Sequence, residues 1–120
     1  MNRSTKRSNK PIFWSLFGAG GMLSALVGPM LIFITGIAVP SGLFLGRDAM
    51  SYERALAFAR SGFGKLAIFI VISLFLFHGL HRMVHSVHDF GVHVGPGLKA
   101  LFHGFAIAGS FVAVYLLATV

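Results

Sequence analysis

Three stretches of this chain are too apolar to lie inside a soluble domain of its size: Ile12–Val39, Leu66–Leu80 fading toward His88, and Ala100–Val120. A run of about 20 such residues crosses a bilayer as a helix, which pairs every backbone N–H and C=O without water. With 56% of its 120 residues hydrophobic and only 11% charged, the chain has little material for any other architecture. The expected fold is therefore an all-α membrane protein with three transmembrane helices, over about residues 12–39, 65–88 and 98–120. Residues 1–11 form a basic tail, and residues 12–120 form a single transmembrane domain.

Charge orients the spans. Arg3, Lys6, Arg7 and Lys10 precede the first, and Arg82 and Lys99 flank the second loop, which makes six cations on one side. Arg47, Arg54, Arg60 and Lys65 make four on the other, so the positive-inside rule favours a cytoplasmic amino terminus and a periplasmic carboxy terminus. The formal charge of +7 does not point to nucleic acid, because these cations border apolar spans instead of forming an aromatic-laced basic patch. A basic start before an apolar run also resembles a secretory signal. The run is much longer than the roughly 7–15 apolar residues of such signals, so the segment is expected to remain in the mature chain. The absence of cysteine removes disulfides, thiolate metal sites and iron–sulfur clusters held by this chain alone.

The first run, 28 residues, would be roughly 42 Å long as a helix against a hydrocarbon core of about 30 Å. Pro29, after Gly28, is the expected point of bending. The second span errs the other way, with 16 uncharged residues between Lys65 and Arg82, or about 24 Å. Its polar end therefore falls near the membrane boundary, where Arg82 can snorkel outward but the shorter His81 cannot. In the loop between the first two spans, "SYERALAFARS" (51–61) predicts a short interfacial helix capped by Ser51, with Glu53 in its first turn and Tyr52, Ala55, Leu56 and Ala59 on one face. Phe58 and Ser61 stand at its end, within possible reach of a ligand.

The stretch "FHGLHRMVHSVHDFGVH" (77–93) holds five of the six histidines. His78, His81, His85 and His88 are spaced three, four and three, which confines them to an arc of about 80° on a helix. One possibility is an interfacial stripe with no ligand. Haem b would need a second axial histidine from another helix, and His103 is the available one. Zinc is weaker, since Asp89 is the single acid near the His81–His85 pair. A quinone suits these groups better: its carbonyls need hydrogen-bond partners, its ring takes apolar contacts, and its redox chemistry moves protons with electrons. Imidazole exchanges protons near neutral pH, and guanidinium stays charged and can stabilise a developing negative charge. Trp14, His81 and Arg82 fall on the same side of the membrane, where they form either a headgroup pocket or an ordinary aromatic-and-basic belt. Gly18, Gly21, Ala25 and Gly28 repeat at helical spacing and are expected to mediate helix packing. A small multi-pass transporter is a rival, though none of the three spans carries an acid of the kind used for ion coupling.

Three blocks, "FWSLFGAGGM" at 13–22, "SYERALAFARS" at 51–61 and "GLHRMVHSVHD" at 79–89, resemble the fumarate reductase D-subunit family of bacterial membrane anchors. The resemblance implies a non-catalytic anchor in the inner membrane that pairs with a second small anchor protein. Together they would hold an iron–sulfur subunit and a flavoprotein subunit at the cytoplasmic face. It further implies a menaquinol site shared between subunits, flavin and iron–sulfur clusters confined to the partners, and no haem or metal on this chain. The related anchors of succinate dehydrogenase, which carry haem b, are the nearest alternative. Carried over by position, Trp14, His81 and Arg82 match residues at or near the quinone, His85 adjoins them, and Phe58 and Ser61 match positions implicated in quinone function. The chain departs from the family pattern at Arg60, where glutamine is expected, and at Val84, where histidine is expected beside His85.

Overall fold

A computed structural model describes residues 10–120. Three helices long and apolar enough to cross a membrane, Lys10–Ser41, Gly62–Asp89 and Pro96–Thr119, give the expected three-span architecture. The basic tail lies outside the described residues except for Lys10 and Pro11, which begin the first helix.

The first span is composite: α1 (Lys10–Phe33), a π-helical segment (Ile34–Ala38) and α2 (Val39–Ser41). Helix α1 runs through Pro29, and its regular register gives way later, where the Val39 N–H reaches back five residues to the Ile34 carbonyl. The π segment leads into Pro40, which lies at the start of α2, where a missing N–H is least costly. Hydroxyls supplement the altered ladder, with Thr35 donating to Leu31 O at 2.7 Å and Ser41 to Ile37 O at 2.6 Å. Gly42, at φ 72°, ends the span in the left-handed conformation that favours glycine.

The interfacial helix is present as α3 (Tyr52–Arg60), capped by the Ser51 hydroxyl as expected. Leu56 and Ala59 are its less exposed apolar positions, whereas Tyr52 and Ala55 are open. Helix α4 (Gly62–Asp89) begins three residues before the expected span because Ser61 caps it. The Ser61 side chain accepts from Gly64 N at 2.9 Å and donates to Phe58 O at 2.7 Å, so one residue closes α3 and opens α4. Gly64 is obligatory at this corner: a Cβ there would overlap the Phe58 carbonyl. At the other end α4 continues through the histidine row and stops in a Schellman motif, with Gly91 N bonded to His88 O and Val92 N to Val87 O, and Gly91 at φ 81°. Gly95 and Pro96 then start α5 (Pro96–Thr119).

Helix α4 is the central element, packed against α1 on one side and α5 on the other. Among the described residues the buried hydrophobic side chains are Ala38, Val84, Ala106 and Ala113, and none is large. The spans therefore meet through small residues and leave bulky side chains outward. Of the small-residue stripe on α1, Gly21 meets α4, where an added Cβ would lie 2.9 Å from His78 Cε1. Gly18 and Gly28 face open space and Ala25 is exposed. The closest approach is at the neighbouring Gly20, which is buried and whose added Cβ would lie 2.6 Å from the Leu74 carbonyl. Gly20 lies one residue, or about 100° of helix, from Gly21, so most of the stripe sits to one side of the contact line with α4.

Candidate functional site: a cleft at the histidine end of the bundle

The up–down–up path brings the beginning of α1, the end of α4 and the beginning of α5 to one end of the molecule. Ring contacts define this end. Phe17 of α1 stacks on His78 at a centroid distance of 4.7 Å and 16° between planes, and meets His81 at 4.6 Å. His103 of α5 lies edge-on to His81 and to Phe13, each at 6.3 Å.

The histidines divide by partner. His78 Nδ1 lies 3.1 Å from the Phe17 carbonyl, which can only accept, so this nitrogen carries the proton and the imidazole locks α4 to α1. His103 Nδ1 likewise donates to the Lys99 carbonyl, at 2.7 Å. His81 and His85 face each other instead, Nε2 to Nε2 at 3.0 Å with centroids 4.6 Å apart. One of those nitrogens donates and the other accepts, leaving each ring's Nδ1 without a hydrogen-bond partner among the described residues.

A cleft of about 460 Å³ opens between α1 and α4, lined by Trp14, Phe17, His81, Arg82, His85, Ser86 and Asp89. Trp14, His81, Arg82 and His85, four of the predicted site residues, thus share one cavity. Neither the Trp14 indole nor the Arg82 guanidinium has a polar partner among the described residues, and Trp14 is 75% exposed. The cleft therefore offers one neutral donor, one fixed cation and an imidazole pair, with an aromatic wall at Phe17 and an open outer side. Its volume falls within the roughly 300–1,000 Å³ typical of small-molecule sites.

Phe58 and Ser61 are not part of this cleft. Ser61 precedes His81 by 20 residues, about 30 Å of helix, and its hydroxyl is used on both sides by the α3–α4 corner. Phe58 packs edge-on against Phe63 at 6.2 Å. Arg60 donates through Nε to the Val120 carbonyl at 3.3 Å, tying α3 to the end of α5. Val84 is 5% exposed and lines a different pocket, beside His85. Sequence reasoning missed Phe17 as a site residue, although its position one turn after Trp14 on the same helix face was a usable signal. It also noted Asp89 only as an acid near the histidines, and Ser86 not at all.

Fold and cleft define a class: a multi-pass, three-span membrane protein with a polar aromatic cleft at one end of the bundle. The sequence model for the family described as the D subunit of fumarate reductase matches residues 4–118. The chain is 40% identical to the fumarate reductase D-subunit of Vibrio cholerae serotype O1 (strain M66-2), over 95% of this chain and 87% of that one. It is 42% identical to that of Actinobacillus succinogenes, over 100% and 99% of the two chains, and 39% identical to that of Mannheimia succiniciproducens, over 96% and 95%. The chain belongs to the fumarate reductase D-subunit family.

Proposed function

We propose that this chain is a membrane anchor subunit of a quinol:fumarate reductase in the bacterial inner membrane, and that its cleft forms part of the menaquinol site. The carrying observation is that Trp14, His81, Arg82 and His85, on two different helices, line one cavity in a chain of this family. The anchor makes no bond to fumarate. Its partners are a second small anchor protein, which closes the open side of the cleft, and the iron–sulfur and flavoprotein subunits seated at the cytoplasmic histidine end. Lys and Arg asymmetry supports that orientation, with the carboxy terminus periplasmic.

Bound quinol supplies two electrons and two protons, the electrons leaving for the iron–sulfur subunit. The residues of this chain bind and orient the headgroup. Trp14 Nε1–H donates to one ring oxygen, Arg82 fixes a positive charge beside the oxygen that becomes negative as its proton leaves, and Phe17 covers the ring face. His81, with Nδ1 free, accepts the hydroxyl proton. The reading assigns no haem and no metal to this chain. Among the described residues no three His, Asp or Glu side chains converge in a way that could hold a metal ion.

The test is purification of the complex from membranes with His81→Asn and Arg82→Gln variants. Flavin and iron–sulfur subunits are expected to co-purify with every version. Quinol-driven fumarate reduction should fall by about 10²-fold, the scale for loss of one oriented acid–base or charge-stabilising group. Reduction driven by a soluble viologen dye, which bypasses the anchor, should be unchanged. Full quinol activity in both variants would overturn the reading.

A further inference from the structure

The cleft is not the only cavity that His81 and His85 line. On their other side lies a second pocket of about 250 Å³, bounded by Val84, His88, Val94, Lys99 and His103. It is built from the last turns of α4, the segment before α5 and the first turns of α5. The two cavities meet at the imidazole pair, whose Nε2 atoms are 3.0 Å apart. That is the distance of a direct N–H···N hydrogen bond, short enough to need no bridging water.

We propose that His81 and His85 form a two-residue proton wire from the Trp14 cleft to this second pocket. The proposal rests on the quinol reading and adds the proton's exit. In the starting state His81 carries its proton on Nε2 and His85 on Nδ1. A ligand hydroxyl loses its proton to His81 Nδ1, the Nε2 proton of His81 crosses to His85 Nε2, and the Nδ1 proton of His85 passes to water in the second pocket. One proton enters, one leaves, and neither ring gains net charge. Both tautomers end reversed, so the rings rotate back before the next proton. Electrons do not travel this route and leave the ligand for the iron–sulfur partner.

Charged and titratable groups face the pair on both sides. Arg82 and Asp89, of opposite charge, line the cleft side. His88 of α4 and Lys99 and His103 of α5 line the receiving pocket. His78 is held by the Phe17 carbonyl and is not in the path, and α1 contributes the side chains of Phe13, Trp14 and Phe17 at this end. His103, with Nδ1 fixed on Lys99 O, keeps Nε2 as an acceptor on the exit side.

The experiment uses the assembled complex, with His85→Ala and, to preserve side-chain bulk, His85→Gln. Three quantities are measured: affinity for a fluorescent quinone analogue, quinol-oxidation rate across pH with and without added free imidazole, and ¹⁵N NMR of histidine-labelled complex. The rate at saturating quinol, a concentration set from the analogue affinity measured for each variant, is expected to fall about tenfold or more. Free imidazole should restore the rate in His85→Ala in proportion to its concentration. The ¹⁵N signature of a hydrogen-bonded Nε2 pair should be present in the parent and absent from both variants. An unchanged rate with intact analogue binding, or a lowered rate that imidazole does not raise, would overturn the wire and leave the quinol site standing. A parent complex that does not bind the analogue would instead remove the quinol reading itself.

Discussion

At the residue scale, histidines of one type and one spacing do different work according to what lies opposite them. His78 faces the Phe17 carbonyl across a gap opened by Gly20 and Gly21 and serves as a clasp. His81, one turn on, faces another imidazole and a cavity. The stripe was legible in the sequence, but this division was not, because it depends on a main-chain oxygen of another helix. The packing stripe divides for a related reason, with Gly21 of its four members meeting α4 within this chain. Small residues at 18, 21, 25 and 28 share a face, yet the line of contact is set by how α4 lies on α1, and it runs past Gly20. Replacing Gly20 with valine should therefore be harmful, since its Cβ would meet the Leu74 carbonyl at 2.6 Å and His78 Cβ at 2.8 Å. Overpacking of this kind costs about 1–3 kcal/mol. Thermal unfolding of the purified complex should report a lower midpoint for Gly20→Val, whereas Gly28→Val, with nothing within 4 Å in this chain, should leave the contact between α1 and α4 intact.

At the element scale, boundaries follow from caps. Ser51, Gly91 and Pro96 stop or start helices through local chemistry that can be read from the chain, and the interfacial helix appears where "SYERALAFARS" places it. The π segment at Ile34–Ala38 was not legible, because Pro29 offered a more obvious place for a disturbance than the approach to Pro40. Nor did the sequence reveal that Ser61 is a shared cap. That role predicts a structural effect for Ser61→Ala, a loss of about 1 kcal/mol from each helix end it serves. Gly64→Ala should be worse, because its methyl group would overlap the Phe58 carbonyl and force α3 away from α4. Amide hydrogen exchange over residues 52–66 reads both: faster exchange confined to the corner is expected, with protection at residues 78–89 kept.

At the scale of the whole molecule, three spans with no large buried side chain form a unit that relies on its surroundings. Without a hydrophobic drive between helices in lipid, small residues and a few polar contacts hold the bundle, and bulky groups remain for lipid and neighbouring subunits. The three-span architecture was readable from apolar run lengths alone. The openness of the cleft was not, because it depends on which side of α1 and α4 lacks a third helix. The topology makes its own prediction: a reporter active only outside the cytoplasm should function when fused after residue 120 or inserted near residue 45, and be silent when inserted near residue 93. The opposite pattern would put the histidine end on the wrong face for soluble cytoplasmic partners.

Placement of the quinone headgroup is tested most directly by photolabelling the assembled complex with a photoreactive quinone and mapping the adducts by mass spectrometry. Label should fall on Trp14, Phe17 and the 81–89 segment of this chain and be displaced by excess quinol. Displaceable label confined to other subunits, or to the apolar groove of Phe69, Phe77 and Phe111 between α4 and α5, would contradict the account.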